Sequence, residues 1–308
     1  MEEIVKLKEQ LGSAFEMKDL GAAKRILGME ISRDRPNRKL FLSQKEFAEK
    51  VICRFGMDKA KIVSTSLATH FKLSAALSPK SEHEKKYMEN VQYSSAIGSL
   101  MYLMVYTRPD ITQAVSVVSR YLACPGEGHW EAVKWIFRYL KGTINAHLEF
   151  GGNGIITGYV DSDFGGDLDK RRSLTGYVFT LGGCAISWKS TLQSTVALSS
   201  TEVEYMAITE AIKEAIWLKT FLGEIVSLDD PIMVFCDNQS AVHLTNDRMF
   251  HERIKHIDIR YHFVRDVISE DNVLVKKISI KANPADMLTK PLPIAKFKFC
   301  SKTISICC

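Results

Sequence analysis

Asp161, Glu204, Asp237 and Asp286 each stand at the edge of a differently patterned segment, and together they form a candidate metal-binding carboxylate cluster. Magnesium prefers oxygen ligands in an octahedral arrangement, usually a few carboxylates together with water and phosphate. Four carboxylates drawn together without a cation would repel one another, so the cluster makes energetic sense only when occupied. Two hard cations about 3.5 to 4 Å apart can activate a water, stabilise charge growing on phosphorane oxygens and neutralise a departing 3′ oxygen. Those are the three needs of phosphodiester hydrolysis.

Each acid needs an element to carry it. Asp161 closes the β-branched and aromatic run Ile155 to Val160, and Asp237 closes a second run, Ile232 to Cys236. Short uninterrupted apolar runs suit strands covered on both faces, and the ends of neighbouring strands in such a sheet lie close together. From Ser199 the pattern changes to a helical one, with Val203, Ala207, Ile208, Ala211, Ile212, Ala215, Trp217, Leu218 and Leu222 spaced near 3.6 residues. Ser199 opens a capping box that Glu202 closes, which gives Glu202 a structural role. Glu204 instead lies beside the apolar face, where an acid has no structural reason to be unless it has a positive partner. In Asn283-Pro284-Ala285-Asp286, Asn283 suits an N-cap and Pro284 the first helical position. Asp286 then falls in the first turn, where interaction with the helix dipole is the alternative explanation for it.

The stretches TGYVDSDFGGDLDKRRSLTGY, VALSSTEVEY, VFCDNQSAVHL, KHIDIRYHFVRD and NPADMLTKPL resemble the RNase H domain of a copia-type retrotransposon Pol polyprotein. Upstream, LGMEISRDRPNRKLFLSQ, YSSAIGSLMYLMVYTRPDI and HWEAVKWIFRYLKG resemble the segment that follows the polymerase site in the same polyproteins. The resemblance implies hydrolysis of RNA in RNA–DNA hybrids, with two Mg2+ ions, or Mn2+ in their place, held by Asp161, Glu204, Asp237 and Asp286. It implies that Asp161 bridges both ions, that Glu204 and Asp237 complete one site and that Asp286 helps hold the other. Asp163 matches a family position with no fixed role and is at most an acid that supports the cation ligands or faces the substrate. Its implied partners are the hybrid duplex and the missing polymerase part of Pol. Tyr159-Val160-Asp161-Ser162-Asp163 is not the YxDD polymerase hairpin, because a serine separates the aspartates, and no YxDD occurs elsewhere in the chain. Polymerase activity is therefore not expected, and Met1 falls where the family sequence is already past that hairpin, as in a truncated element or a gene model cut from a longer open reading frame.

The expected fold class is α/β: an RNase H-like mixed sheet flanked by helices, preceded by a mostly helical thumb and connection segment with one β-hairpin. The boundary is placed in the Gly-rich stretch Phe150 to Gly154, giving a reverse-transcriptase remnant at 1–150 and an RNase H-like domain at 151–308. In the first part, an apolar-patterned helix carries Ile4, Val5, Leu7, Leu11 and Phe15, and a hairpin spans Ile26 to Leu42, turning at Arg35-Pro36-Asn37. The resemblance makes this hairpin the primer grip. Ser43 and Glu46 box the next helix, residues 57–90 read as an exposed connection, and Tyr93 to Gly142 is helical with breaks at 107–109 and 124–126. Lys134, Arg138 and Lys141 form a basic stripe, either a solvated face or a track for a phosphate backbone, and the resemblance favours duplex contact. In the second part the expected order is strand, strand, strand, helix, strand, helix, strand, helix, with a hairpin through Gly182-Gly183 and a further strand near Thr195 to Leu198. A basic helix follows Asp237, with Ile254, Ile257, Tyr261, Val264 and Ile268 inward and Arg253, Lys255, His256, Arg260 and Arg265 elsewhere, while His251, His256 and His262 are assigned no role.

Composition agrees with a globular chain of about two domains: 308 residues, 46% hydrophobic, 25% charged. A net charge of +5 mildly favours an anionic partner without identifying it. Seven scattered cysteines without CxxC spacing indicate neither a disulfide framework nor a zinc site, so a reducing compartment is expected. The longest apolar stretch, Ala96 to Tyr106, is far shorter than the roughly 20 residues of a membrane span, and Glu2 and Glu3 stand where a signal peptide would be basic. The expected location is a cytoplasmic virus-like particle or the nucleus. Two other classes compete with the nuclease: a non-catalytic retroelement remnant that at most binds nucleic acid, and an integrase of the same superfamily. The latter would use two aspartates and one glutamate, often with an HHCC zinc module, and neither pattern occurs here.

Overall fold

Alternating and continuous apolar runs build two five-stranded sheets, and the helices between them close the cores. The computed structural model describes residues 2–18, 21–152, 154–224, 230–246 and 258–307. The first sheet is antiparallel throughout, in the order β1 (Arg25–Ile26), β2 (Met29–Asp34), β3 (Lys39–Ser43), β4 (His147–Phe150), β10 (Ile306–Cys307). The expected hairpin is β2 and β3, and its turn is closed by Arg38 at φ 54°. The sheet exceeds that hairpin because β4, arriving after the helices, and β10, from the far end of the chain, add to its edge.

Helix α1 (Glu2–Ala14) precedes this sheet with its apolar positions Val5, Leu7 and Leu11 exposed, and α2 (Lys45–Arg54), α3 (Glu82–Glu89), α4 (Tyr93–Tyr106), α5 (Thr112–Ser119) and α6 (Glu127–Gly142) lie between β3 and β4 in the chain. The helical breaks fall where the sequence puts them. Helix α2 begins one residue later than the expected box, with Gln44 at its N-cap. Ser43 is held in strand pairing with Glu30 and His147, and the Glu30 carboxylate accepts from the backbone N–H of Glu46 at 3.0 Å instead. Residues 57–90 are not an exposed connection: they bury Leu67, Leu73 and Met88, and a reciprocal Ser81/Glu84 box starts α3. The stripe on α6 is engaged within the chain. Lys134 pairs with Glu131, Arg138 donates to the Lys61 carbonyl and lies over the Trp135 ring, and Lys141 donates to the Ala60 carbonyl.

The second sheet has the order β7 (Cys184–Leu192), β6 (Leu174–Leu181), β5 (Ile156–Asp163), β8 (Ile232–Cys236), β9 (Val273–Lys277). Strands β7, β6 and β5 are antiparallel, and β5, β8 and β9 are parallel. Helices α7 (Ser200–Gly223), α8 (Gln239–Asn246) and α9 (Asp258–Ser269) follow β7 and β8, and α10 (Ile294–Thr303) follows β9. This is the mixed α/β arrangement of an RNase H-like fold. The further strand expected near Thr195 to Leu198 does not form; β7 runs to Leu192 in register with Leu174, and Leu198 stands 84% exposed beyond it. In the basic helix, Val264 is buried and Ile268 packs against the core as expected. His251, Arg253, Ile254, Lys255, His256 and Ile257 lie outside the described residues, as do the side chains of Arg260 and Tyr261.

The core under the first sheet is shared across residue 150. Val178, Cys184, Ala185, Met287, Leu288 and Phe297 pack in one cluster with Val133, Ile136, Phe137 and Leu140 of α6. The second core, between the mixed sheet and α7, holds Val160, Phe179, Ile208, Ile212 and Val234.

Candidate active site

Strand register brings the first two acids together. Val160 on β5 pairs with Cys236 on the parallel strand β8, so Asp161, two residues before the end of β5, and Asp237, just past β8, emerge side by side where the pairing of the two strands stops. Asp161 faces away from Val160 by the two-residue period of the strand, and Asp163 shares its face. Glu204 comes from the first turn and a half of α7, whose N-cap Ser199 accepts from the backbone N–H of Glu202 at 3.2 Å. The Glu202 carboxylate does act structurally, accepting from the Leu198 N–H at 2.8 Å, one residue outside the expected box. Asp286 sits in a 3-10 turn, Pro284–Leu288, capped as expected by Asn283, which accepts from the Ala285 N–H at 3.1 Å.

All four predicted acids converge. Carboxylate oxygens of Asp161, Asp237 and Asp286 lie within 4.8 Å of one another, and Glu204, Cys236 and Asp237 offer a second such group. The two triplets overlap at Asp237, not at Asp161. Asp161 Oδ2 accepts from the Thr289 hydroxyl and from Lys290 Nζ, the latter at 3.2 Å. Asp161, Glu204 and Asp286 are buried, while Asp237 is half-buried and opens the site to solvent.

Such crowding has an electrostatic cost. Burial, and next the charges of Asp161 and Asp237, push the Glu204 carboxyl up to about 8. Burial pushes Asp161 up to about 7 against the opposing pull of the Lys290 ammonium. Lys290 is pulled down by burial, but the Asp161 and Asp286 carboxylates outweigh this and hold it above the ordinary lysine value. The Cys236 thiol is pushed up, chiefly by burial, and therefore stays protonated, with its Sγ 3.7 Å from Glu204 Oε2. With the thiol neutral, the donor set is one of hard oxygens, and it fits a divalent cation of the magnesium type.

Several residues that build the site carried no role in the sequence reading. Asn283 Nδ2 donates to the Val160 carbonyl at 2.9 Å and approaches Asp237 Oδ2 at 3.4 Å, so one cap residue ties the 3-10 turn to both strand ends. Lys290 Nζ lies 2.8 Å from Asp286 Oδ1, and Lys296 Nζ lies 3.0 Å from Asp286 Oδ2. The spacing of Asp286 and Lys290, four residues apart, was the available signal. Gly176, paired with Asp161, is a contact point: a Cβ there would stand 2.7 Å from Thr289 Cγ2 and 2.8 Å from Leu288 Cβ. A glycine inside a β-branched run is the signature of such a close approach.

A second mixed cluster, His147, Glu149 and Cys307, lies on the first sheet, where Glu149 is paired with Lys39. No described helix is long and apolar enough to cross a membrane.

No protein-family model matches the chain. Among solved structures, LC11-RNase H1, isolated from compost, aligns with 44% of this chain and 94% of its own at 18% identity and a TM-score of 0.36. The chain is 54% identical over 304 residues to the retrovirus-related Pol polyprotein from transposon TNT 1-94 of Nicotiana tabacum, covering 98% of this chain and 23% of that one. It is 35% identical over 301 residues to the Pol polyprotein from transposon RE2 of Arabidopsis thaliana, covering 97% and 20%. The chain thus spans about a fifth to a quarter of the length of these relatives. With identity of this degree along nearly its whole length, it belongs to the family of copia-type retrotransposon Pol polyproteins.

Proposed function

We propose that this chain is a ribonuclease H that hydrolyses the RNA strand of RNA–DNA hybrids with divalent cations, Mg2+ in the first place. The observation that carries this reading is the pair of groups that share Asp237, one of the three carboxylates Asp161, Asp237 and Asp286 and one of Glu204 and Asp237 beside the Cys236 thiol, where the pairing of two neighbouring parallel strands stops. Cations bound there would supply an activated water and offset the negative charge of the reacting phosphodiester. Asp161, Glu204, Asp237 and Asp286 would hold them, the residues assigned that role from the sequence.

The remaining work falls to the chain itself. Asn283 and Thr289 fix the orientation of Asp237 and Asp161, and Lys296 does the same for Asp286. Glu204 holds a proton near neutral pH when no cation balances its neighbours, and gives it up as positive charge enters, which makes cation binding release protons. The half-buried Asp237 marks the side from which a substrate phosphate arrives. A hybrid duplex is recognised by groove shape, phosphates and 2′-hydroxyls more than by base sequence, and a net charge of +5 suits that partner. Residues 1–150 belong, on this reading, to the thumb and connection of the reverse transcriptase.

The test is a labelled RNA–DNA hybrid incubated with the purified chain and Mg2+, beside an Asp161→Asn control. Cleavage of the RNA strand alone, reduced at least ~100-fold in the variant, is expected, since a lost cation ligand removes about 3 kcal/mol or more of transition-state stabilisation. Binding of hybrid without cleavage would instead identify a non-catalytic remnant.

A further inference from the structure

Two lysines reach the carboxylate cluster, and they are held in different ways. Lys296 Nζ contacts Asp286 Oδ2 and also donates to the carbonyls of Ile280, Lys281 and Asn283, at 2.9, 2.8 and 3.2 Å. It is tied to the backbone that carries Asp286 and cannot leave without unmaking that turn. Lys290 Nζ is held by carboxylates, Asp161 Oδ2 at 3.2 Å and Asp286 Oδ1 at 2.8 Å. Its side chain is 38% exposed against 21% for Lys296.

Asp161 and Asp286 are two of the three acids whose oxygens lie within 4.8 Å of one another. The Lys290 ammonium therefore occupies a position that a divalent cation would claim through the same oxygens, and two cations cannot share it without strong repulsion. There is a place for the lysine to go. A cleft of about 330 Å3 adjoins the site, lined among others by Thr289, Lys290, Asp163, Gly166 and Arg120. Asp163, two residues along β5 from Asp161 and on the same strand face, is half-buried in that cleft.

We propose that Lys290 is a resident counter-cation of the carboxylate site, bridging Asp161 and Asp286 until a divalent cation binds and then swinging into the adjoining cleft, where Asp163 receives it. Lys296 remains in place throughout and positions Asp286. Exchange of this kind keeps the buried carboxylates paired at every stage, and it makes cation affinity the outcome of a competition within the protein. It rests on the reading that the cluster binds divalent cations.

Lysine acetylation of the full chain, quantified by mass spectrometry, reads the exchange directly and without substrate. Lys290 should react severalfold faster in saturating Mg2+ than in a chelator, while Lys296 is unchanged. Calorimetric titration with Mg2+ supplies the second arm. Lys290→Met should bind Mg2+ severalfold more tightly than wild type, Asp163→Asn severalfold more weakly, and Lys296→Met, which loses the same charge, no more tightly. Lys290 reactivity that does not rise with bound Mg2+ overturns the proposal, and so does equal tightening in both lysine variants, which would mean only a change of net charge. A wild-type chain that binds no Mg2+ in this titration overturns the divalent-cation reading beneath it, a result distinct from either.

Discussion

At the scale of single residues, the site is destabilised by its own carboxylates when no cation is present. Asp161 and Glu204 have folded-state pKa values near 7 and 8, against about 3.9 and 4.3 for unfolded chains. Between those limits the folded protein binds more protons than the unfolded one, so stability falls as pH rises. His129 works in the opposite sense, because burial holds its pKa down, but its effect fades above about pH 6.5 and is nearly gone by about pH 7.5, so the carboxyls decide the upper part of the range. The melting temperature in a chelator should therefore drop by several degrees between pH 6.5 and 8.5, and Glu204→Gln should flatten that slope. Mg2+ should stabilise the chain more at pH 8.5 than at pH 6.5. A chelated melting temperature that is flat or rises over this window would count against the buried, crowded carboxylates. The acids themselves stood out as candidates in the sequence, because Asp161 and Asp237 close apolar runs and Glu204 and Asp286 follow recognisable helix starts. Their partners were not: Asn283 reaches Val160 across 123 positions, and Thr289 reaches Asp161 across 128, distances over which spacing carries no information.

The elements place these residues by packing one strand pair against one short turn. Thr157-Gly158-Tyr159-Val160 on β5 and Thr175-Gly176-Tyr177-Val178 on β6 repeat the same four residue types, and the two glycines serve different contacts. A Cβ on Gly158 would meet the Phe179 ring at 2.5 Å, whereas one on Gly176 would meet Leu288 and Thr289 of the turn that carries Asp286. Gly176→Ala should lift that turn from β6, lower stability by about 1 to 3 kcal/mol and lose hybrid cleavage with it. Gly98→Ala in α4, where nothing lies within 4 Å, should instead stabilise by up to ~1 kcal/mol. Thermal unfolding and cleavage assays of the two variants test the contrast, and a Gly176→Ala protein with wild-type activity would sink it. Periodicity located α7 well, because a helix of 24 residues repeats its pattern many times, although Trp217, read with its apolar positions, stands exposed. It failed at 57–90, where buried Leu67, Leu73 and Met88 are spaced irregularly within a polar stretch. It also could not say that the basic stripe of α6 is occupied by the carbonyls of Ala60 and Lys61.

At the scale of the whole molecule, the Gly-rich stretch after Phe150 divides the chain in sequence more than in space. Strand β10 pairs with β4, Trp188 Nε1 donates to the Met104 carbonyl at 2.9 Å, and Ser116 Oγ donates to the Ser190 carbonyl at 3.1 Å. Asp169 accepts from the Ala75 N–H at 2.9 Å and from the Tyr121 hydroxyl at 3.1 Å. These polar ties lie beside the shared apolar core, in which Met287 and Leu288 of the Asp286 turn pack against helices of the first half. The turn that carries the fourth acid is thus supported from the far side of the linker, a dependence invisible to any reading of local pattern. Residues 151–308 expressed alone should expose Val178, Cys184, Ala185, Met287 and Leu288 and melt well below the full chain, with weakened Mg2+ binding. Adding back 1–150 should restore both. In the full chain, urea unfolding followed through Trp135 on α6 and Trp188 on β7, each in a variant that keeps only that tryptophan, should give coincident transitions. Two separated transitions, or a 151–308 fragment as stable and as active as the full chain, would show that the halves are energetically independent and that the Asp286 turn is held by its own sheet alone.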